Sequence, residues 1–464
     1  MFGIHLIRND KTSLSRQIYN QFKQQILTDQ LKGGQLLPST RELARNLSVS
    51  RNTVVEAYEL LFAEGFIENR QGAASRVIDN LNIGLPNTHH HSSDQTRKII
   101  KVNFKTGQPD LSAFPKLLWG KVINQTLKDL SIKNFGYRHL DGYQPLKKEI
   151  ASWLYRHRGI NAPEEHIFIC SGATAGLSIL SDILYKDYPF AIENPSHPGF
   201  KAILDLKKIP IRWASVDEHG LDIALFDPKN LSAVYVTPSH QFPLGGILDA
   251  TRRTALIRLA RKHNFYIIED DYDSEFRYHG APISPIYSLD PSKVIYIGTF
   301  SKTVFPALRI GFAILPPALH PQWKIHRQFF DVQNPILEQA ALAEFLHQGK
   351  MDQHVRTMRK RYAQKREILL ESIEELFTDD VRVLGDAAGL HLVLELENRI
   401  FDETFERKCQ SDGVLISRLS QYCANNHEHQ NKLLLGYGHL SPDEIQLGLK
   451  IVQLNILQLE NNCS

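Results

Sequence analysis

Four cysteines in 464 residues, Cys170, Cys409, Cys423 and Cys463, are too few and too scattered for a zinc site or a dense disulfide framework. Reduced thiols in a cytoplasmic protein are the expectation. No apolar run is long enough to span a bilayer. Asp10, Lys11 and Arg16 interrupt the short apolar start, so no secretory segment is expected there. Charge of one sign is missing too: 54 Lys and Arg against 51 Asp and Glu leave a formal +3, which neither requires nor excludes a nucleic-acid partner. No internal repeat and no coiled-coil heptad runs through the chain. What is present, 42% apolar and 23% charged residues over a length beyond one ordinary domain, suits a soluble globular protein of more than one domain.

Residues 1–78 read as a small helical domain. Leu14, Ile18, Phe22 and Ile26 recur at helical spacing, with Ser13 or Thr12 as the cap. A second helix restarts around Pro38-Ser39-Thr40-Arg41-Glu42, where Pro38 suits a first turn and Ser39 with Glu42 has capping-box spacing. A third begins near Ser50 and runs through Val54, Ala57, Tyr58 and Leu61 until Gly65. Residues 66–72 then read as a strand entering a wing. Ser50, Arg51, Asn52 and Thr53 stand at the entering end of the third helix. Arginine suits phosphate or guanine, asparagine suits adenine, and a helix N-terminus attracts phosphate. Arg41 and Arg70 are placed to brace a DNA backbone, and Gly72 to turn the wing. Without DNA, the same pattern describes an ordinary helical subdomain with a charged surface.

Residues 79–100 read as a linker, because Asn80, Asn82, Gly84, Pro86, Asn87 and Ser92-Ser93-Asp94 weaken regular structure. The run His89-His90-His91 lies in it without nearby acidic or cysteine partners, so solvated histidines are expected rather than a metal site.

From residue 101 onward short apolar strands alternate with helical patterns, the signature of an α/β domain. The chemistry-bearing residues fall at the strand ends, where open α/β sheets bind ligands. A β-rich run at 294–297 leads into Gly298-Thr299-Phe300-Ser301-Lys302, and Arg309 follows seven positions after the lysine. A lysine near hydroxyls and a guanidinium is the set needed to hold a carbonyl cofactor as a Schiff base and to bind its phosphate. The strand 167–170 passes through Ser171-Gly172-Ala173-Thr174 directly into a helix, whose free N–H groups and dipole make a phosphate cradle. Another strand ends in Glu269-Asp270-Asp271-Tyr272-Asp273.

These segments resemble fold-type I aminotransferases, which bind pyridoxal 5'-phosphate (PLP). Residues 36–44 and 49–54 resemble the GntR-type winged helix. The combination resembles the MocR/GabR-like bacterial transcription regulators over nearly the whole chain. The resemblance implies a multidomain fold: a winged helix-turn-helix over 1–78, the linker over 79–100, and an α/β PLP-dependent transferase-like domain of fold type I over 101–464, which also dimerises. It assigns Lys302 to the Schiff base, Asp270 to the pyridine nitrogen, Tyr272 to the phenolic oxygen, and Arg309 and Thr299 to the phosphate. Ala173 and Thr174 fall in the cradle, Thr174 standing where many relatives have glutamine. His197 matches an aromatic that stacks on the ring, and a loop hydrogen bond is its other reading. His240 and Gln241 fall near the ring oxygen or ligand, in place of the asparagine motif typical of aminotransferases. Which of the two points inward is open. Tyr137 matches a tyrosine that reaches the phosphate across the dimer interface, and a loop-packing role is equally open.

Two departures from the family pattern matter. Ala73 and Ala74 follow the first wing glycine and reduce turn flexibility, so the helix contacts carry more weight than the wing. Many aminotransferases clamp the substrate carboxylate with a C-terminal arginine, whereas residues 431–437 offer leucine there, with Lys432 and Arg418 as alternatives. The expectation is therefore a transcription regulator that binds operator DNA, responds to PLP or an amino-group effector, and does not carry out physiological transamination. A PLP-dependent aminotransferase with an appended DNA-binding domain is the alternative. The expected assembly is a homodimer without a membrane partner, and the resemblance implies head-to-tail exchange of the DNA domains.

Overall fold

The computed structural model describes residues 3–8, 10–68, 74–81, 100–138, 140–281, 283–377 and 381–463. The chain divides into two compact units, Met1–Thr96 and Arg97–Ser464.

In the first unit the helices are Leu14–Leu27, Thr40–Leu47 and Arg51–Ala63, each started by a serine. Ser13, Ser39 and Ser50 each accept an N–H of the first turn, from Arg16, Glu42 and Thr53 at 3.3, 3.2 and 3.2 Å. Ile18, Phe22, Ile26, Val54, Ala57, Tyr58 and Leu61 fill the core, which is what their helical spacing predicts. The Tyr58 hydroxyl donates to the Pro38 carbonyl at 2.9 Å and so ties the third helix to the turn before the second. Ile67–Glu68 pairs antiparallel with Arg76–Val77 to form the wing's base. Arg70, Gly72 and Ala73 lie outside the described residues, as does the run His89-His90-His91.

The second unit is built on an eight-stranded sheet. Its order is Ile167–Cys170, Gly311–Ile314, Val294–Thr299, Tyr266–Asp271, Ala233–Val236, Phe190–Asn194, Ile211–Asp217 and Gly220–Leu221. The run from Val294–Thr299 to Ile211–Asp217 is parallel, while Gly311–Ile314 is antiparallel to both its neighbours. Both faces are covered, so the strands read as continuous apolar runs rather than alternations. Within Ile167–Cys170, Ile167 and Ile169 join one core cluster and Phe168 and Cys170 the other.

The register places the site. Thr299 is opposite Gly311, Gly311 is opposite Cys170, and Gly298 is opposite Asp271. The ends that carry the cradle, the acidic cluster and the lysine turn therefore meet at one edge of the sheet.

A smaller four-stranded antiparallel sheet follows, in the order Val381–Leu384, His391–Leu396, Lys432–Gly436, Ser417–Arg418. The long helix Lys350–Leu376 leads into it and Pro442–Cys463 closes the chain. No helix among the described residues is long and apolar enough to cross a membrane. Cys170, Cys409 and Cys423 are free and buried.

A buried ion pair braces the sheet under the site. Arg158 Nη2 lies 2.5 Å from Asp271 Oδ2, the Tyr296 hydroxyl donates to the same oxygen at 2.6 Å, and Arg158 also donates to Ser239 Oγ at 3.1 Å. Removing one partner leaves a desolvated charge alone. Arg158→Met is expected to lower the stability of this unit by about 3–5 kcal/mol. Chemical denaturation checks it, and a loss below about 1 kcal/mol would show that Asp271 finds another partner.

Candidate functional site

Strand periodicity sorts the acidic cluster. Successive residues point to opposite faces, and Glu269, Asp270 and Asp271 end in three different places. Glu269 accepts the N–H groups of Ile286 and Tyr287 at 2.9 and 2.8 Å. Asp271 belongs to the Arg158 pair. Asp270 faces a cavity of about 310 Å³ at the strand ends.

That cavity gathers most of the expected residues. Lys302, Asp270, Tyr272, Arg309, Thr299, Ala173, Thr174 and His197 all line it. At one end Asp270 Oδ2 accepts the Tyr235 hydroxyl at 2.7 Å, and Oδ1 is buried with no hydrogen-bond partner. Burial pushes Asp270 up to about 6, against the Tyr235 bond that favours its charge. Lys302 donates to the Gly107 carbonyl. Its ammonium is pulled below the ordinary lysine range by burial, partly offset by Asp273 and Asp270. Gly107 has φ +88°, and a Cβ there would stand 2.8 Å from Lys302 Nζ, so only glycine leaves the lysine its place.

At the other end the helix Ala173–Leu184 begins without a side-chain cap, so its first N–H groups are free for an anion. Arg309 takes the left-handed conformation at φ 51° and aims its guanidinium at the Ser171 carbonyl, 2.6 Å away. A non-glycine residue held in that region costs about 1–3 kcal/mol, a strain that marks functional positions. A Cβ at Gly172 would stand 2.7 Å from the same guanidinium. Thr299 Oγ1 accepts the Ser301 N–H at 3.2 Å and donates to its hydroxyl at 3.0 Å.

His197 opens onto the cavity. It caps the helix Pro198–Leu206 by accepting the Gly199 N–H on Nδ1 at 3.1 Å, which leaves the proton on Nε2.

Three expected residues are not brought to the cavity wall. His240 is buried behind it, donating from Nδ1 to Asp273 at 3.1 Å and from Nε2 to the Gly385 carbonyl at 3.2 Å. Burial opposes its charge, yet Asp273 and the Gly385 carbonyl together raise it above the ordinary histidine value. The Tyr272 hydroxyl donates to the His240 carbonyl at 3.1 Å. Gln241 is consumed between two loops: its amide donates to the carbonyls of Pro195 and Phe242 at 2.9 and 2.7 Å, and its oxygen accepts the Leu244 N–H at 3.2 Å. Tyr137 is 85% exposed and does not line the cavity.

Sequence reasoning missed Tyr235, Asp273, Phe242, Leu390 and His391, all on the cavity wall. Tyr235 carried a signal: a tyrosine inside a fully buried four-residue strand needs a partner for its hydroxyl. His391 carried none. It opens a strand of the smaller sheet and reaches the site only through tertiary packing, its Nε2 donating to the Pro243 carbonyl at 3.2 Å.

In the first unit, Arg41, Arg51 and Asn52 are exposed along the two helices expected to meet DNA. Ser50 and Thr53 are engaged with each other, their hydroxyls 2.8 Å apart, in addition to the cap bond. Arg51 makes one long bond, from Nε to Thr40 Oγ1 at 3.4 Å.

The family model for bacterial regulatory proteins of the gntR family matches residues 14–77, and that for aminotransferase class I and II matches residues 99–434. Over 98% of its length the chain is 31% identical to the probable rhizopine catabolism regulatory protein MocR of Rhizobium meliloti, covering 96% of that protein. The chain belongs to the GntR/MocR family. It is a DNA-binding transcriptional regulator carrying an aminotransferase-like domain. This MocR-type chain is also 29% identical to the pyridoxine biosynthesis regulator PdxR of Corynebacterium glutamicum, over 96% of each. Among solved structures, a Pyrococcus horikoshii kynurenine aminotransferase matches with a TM-score of 0.72 and 24% identity, over 78% of this chain and 92% of that one. That likeness establishes the fold-type I aminotransferase fold of the MocR-type C-terminal unit.

Proposed function

We propose that this regulator holds PLP in the 310 Å³ cavity and couples its state, or that of an amino compound bound with it, to the reading of operator DNA. The observation that carries the reading is the arrangement of three groups in one cavity. Lys302 and an Asp270 carboxylate with an unpaired oxygen lie with a helix N-terminus that is braced by Arg309. PLP suits each of these: a ring N–H for Asp270 Oδ1, a carbonyl for Lys302, and a phosphate for the N–H groups of Ala173 and Thr174 with Arg309 and Thr299.

When bound, PLP supplies an aldehyde carbon for amines and an electron-accepting ring. The chain's own residues set up that chemistry. Burial keeps a larger share of Lys302 in the neutral, nucleophilic form. Tyr235 fixes Asp270 so that its free oxygen holds a proton at the ring nitrogen. His197 and Phe242, 5.1 Å apart edge to face, bound the cavity at His197's side. Arg309→Ala should weaken PLP retention by about 1.5–3 kcal/mol through loss of a charge-assisted contact. Equilibrium dialysis of the folded variant measures it, and unchanged retention would remove Arg309 from the phosphate end.

DNA recognition rests on Arg41, Arg51 and Asn52, with Ser50 and Thr53 shaping the helix start. Arg70 and Gly72 are proposed for the wing. A homodimer in the cytoplasm is the proposed form. Leu117, Ile132 and Tyr137, 87%, 82% and 85% exposed, are large apolar side chains open to a second copy. Tyr137 is proposed to serve the partner's site. A solution mass showing only monomer would contradict this.

Physiological transamination is not part of the proposal. The strand Lys432–Gly436 contains no arginine, and its Leu433, Leu434 and Leu435 are fully buried. Lys432 pairs with Glu395 at 2.6 Å and Arg418 with Glu406 at 3.1 Å. Genome-wide operator mapping tests the regulator reading, and no sequence preference with or without PLP would sink it. The retained Lys302 favours the second reading, an aminotransferase with an appended reader. Multiple-turnover amino transfer to several keto acids would establish that instead.

A further inference from the structure

The charge inventory of the cavity says what kind of amine it accepts, given the reading that PLP sits there. Among the described residues its wall carries two cations, Lys302 and Arg309. Lys302 is the cofactor's own lysine. Arg309 is tied to the Ser171 carbonyl at the phosphate end. This chain's described residues leave no further cation on the wall for a second anion.

The imidazoles do not fill the gap. His391 is buried, with Nε2 donating to Pro243 and its ring 5.1 Å from both Phe242 and His240. Burial, then the neighbouring His240 charge, hold it well below the ordinary histidine value. His197 spends Nδ1 on the Gly199 N–H and leaves one uncharged N–H donor on Nε2. His240 has both nitrogens occupied, by Asp273 and the Gly385 carbonyl, and neither is free for a ligand. Asp273 on the wall is an acceptor already engaged by His240 and offers a second carboxylate no donor. Behind Phe242 lies Leu434, in one apolar cluster with Val393 and Leu419.

A carboxylate entering this space gives up part of its water and meets only uncharged donors of this chain, and a desolvated charge without a cation is costly. An uncharged tail carries no such penalty. An adjoining chamber of about 410 Å³ shares Thr106, His197 and Phe242 with the first, so a tail has room to continue. Its wall offers Gln410, Ser417 and Tyr422 as uncharged hydrogen-bonding groups. Glu406 there is already satisfied by Arg418 and Gln421. Lys105 belongs to the same chamber but is exposed, where water screens an ion pair.

We infer that the effector site accepts a primary amine whose tail carries no negative charge, in preference to an amino acid. In the exchange the effector's C–N bond replaces the Lys302 one at the cofactor carbon, and the two amine protons end on Nζ. No oxidant, reductant or net water is consumed.

The test uses matched pairs on the full-length, PLP-loaded protein: 4-aminobutan-1-ol against 4-aminobutyrate, and 2-phenylethylamine against phenylalanine. Binding is read by calorimetry and by the change in cofactor absorption. The uncharged member of each pair is expected to bind at least about tenfold tighter. Equal or tighter binding of the amino acids, with the lysine–cofactor absorption intact beforehand, overturns this inference alone. Absence of that absorption before any amine is added overturns the cofactor reading and the inference with it.

Discussion

Lys302→Ala protein will take up PLP without a covalent link, and the wild-type absorption of the lysine–cofactor adduct will be gone. The adduct needs the only amine that lines the cavity among the described residues, held against Gly107 by a backbone that tolerates no Cβ there. The remaining contacts, Arg309, Asp270 and the N-terminus of Ala173–Leu184, survive the substitution, so noncovalent uptake persists. Borohydride reduction of wild type followed by peptide mass mapping should place the modification on Lys302. A label on another lysine, or retention of PLP by folded wild type with no lysine adduct, contradicts the assignment. Asp270→Asn separates the roles further. It removes the carboxylate from the ring nitrogen and should alter the cofactor's protonation more than its retention.

The second large effect concerns DNA. Asn52→Ala should weaken operator binding by about 1–3 kcal/mol and relax the preference at one base pair, as loss of a bidentate base contact does. Arg51→Ala separates base from phosphate. A phosphate contact weakens all sequences alike and lowers the salt slope by about 1. Ser50→Ala acts differently, because its hydroxyl is committed to the Thr53 N–H and hydroxyl. It should cost about 1 kcal/mol of stability in the first unit. Measured operator affinities across several salt concentrations distinguish the three. Unchanged affinity and sequence preference in folded Asn52→Ala would remove the third helix as the base reader.

What was legible in the sequence was what local chemistry dictates. Serine caps, helical spacing and the strand–turn–helix junction at Ser171-Gly172-Ala173 need only neighbours in the chain, and the helices start where those signals stand. Lys302 and Asp270 were legible because each ends or closely follows a strand that the sheet register carries to the same edge. His240 and Gln241 were not, since spacing gives no direction for a side chain inside an irregular loop. The pairing of His240 with Asp273, and of Gln241 with the carbonyls of Pro195 and Phe242, turn them away from the cavity. Tyr235 and His391 join the site from separate strands of the two sheets, a meeting fixed only by packing at long sequence separation.

The leucines of Lys432–Gly436 show both sides. The sequence placed leucine where an arginine clamp would stand. Packing adds that Leu434 lies behind Phe242, while Leu433 and Leu435 face the other core. The alternation is the two-residue period of a strand.

Coupling between the PLP cavity and DNA reading is the central claim, and footprinting of one mapped operator with PLP-free and PLP-loaded wild type measures it most directly. The account predicts that protection shifts in extent, or in the protein concentration needed, by at least about fivefold, the lower range of an allosteric coupling. Identical protection at identical concentrations in the two states would contradict it.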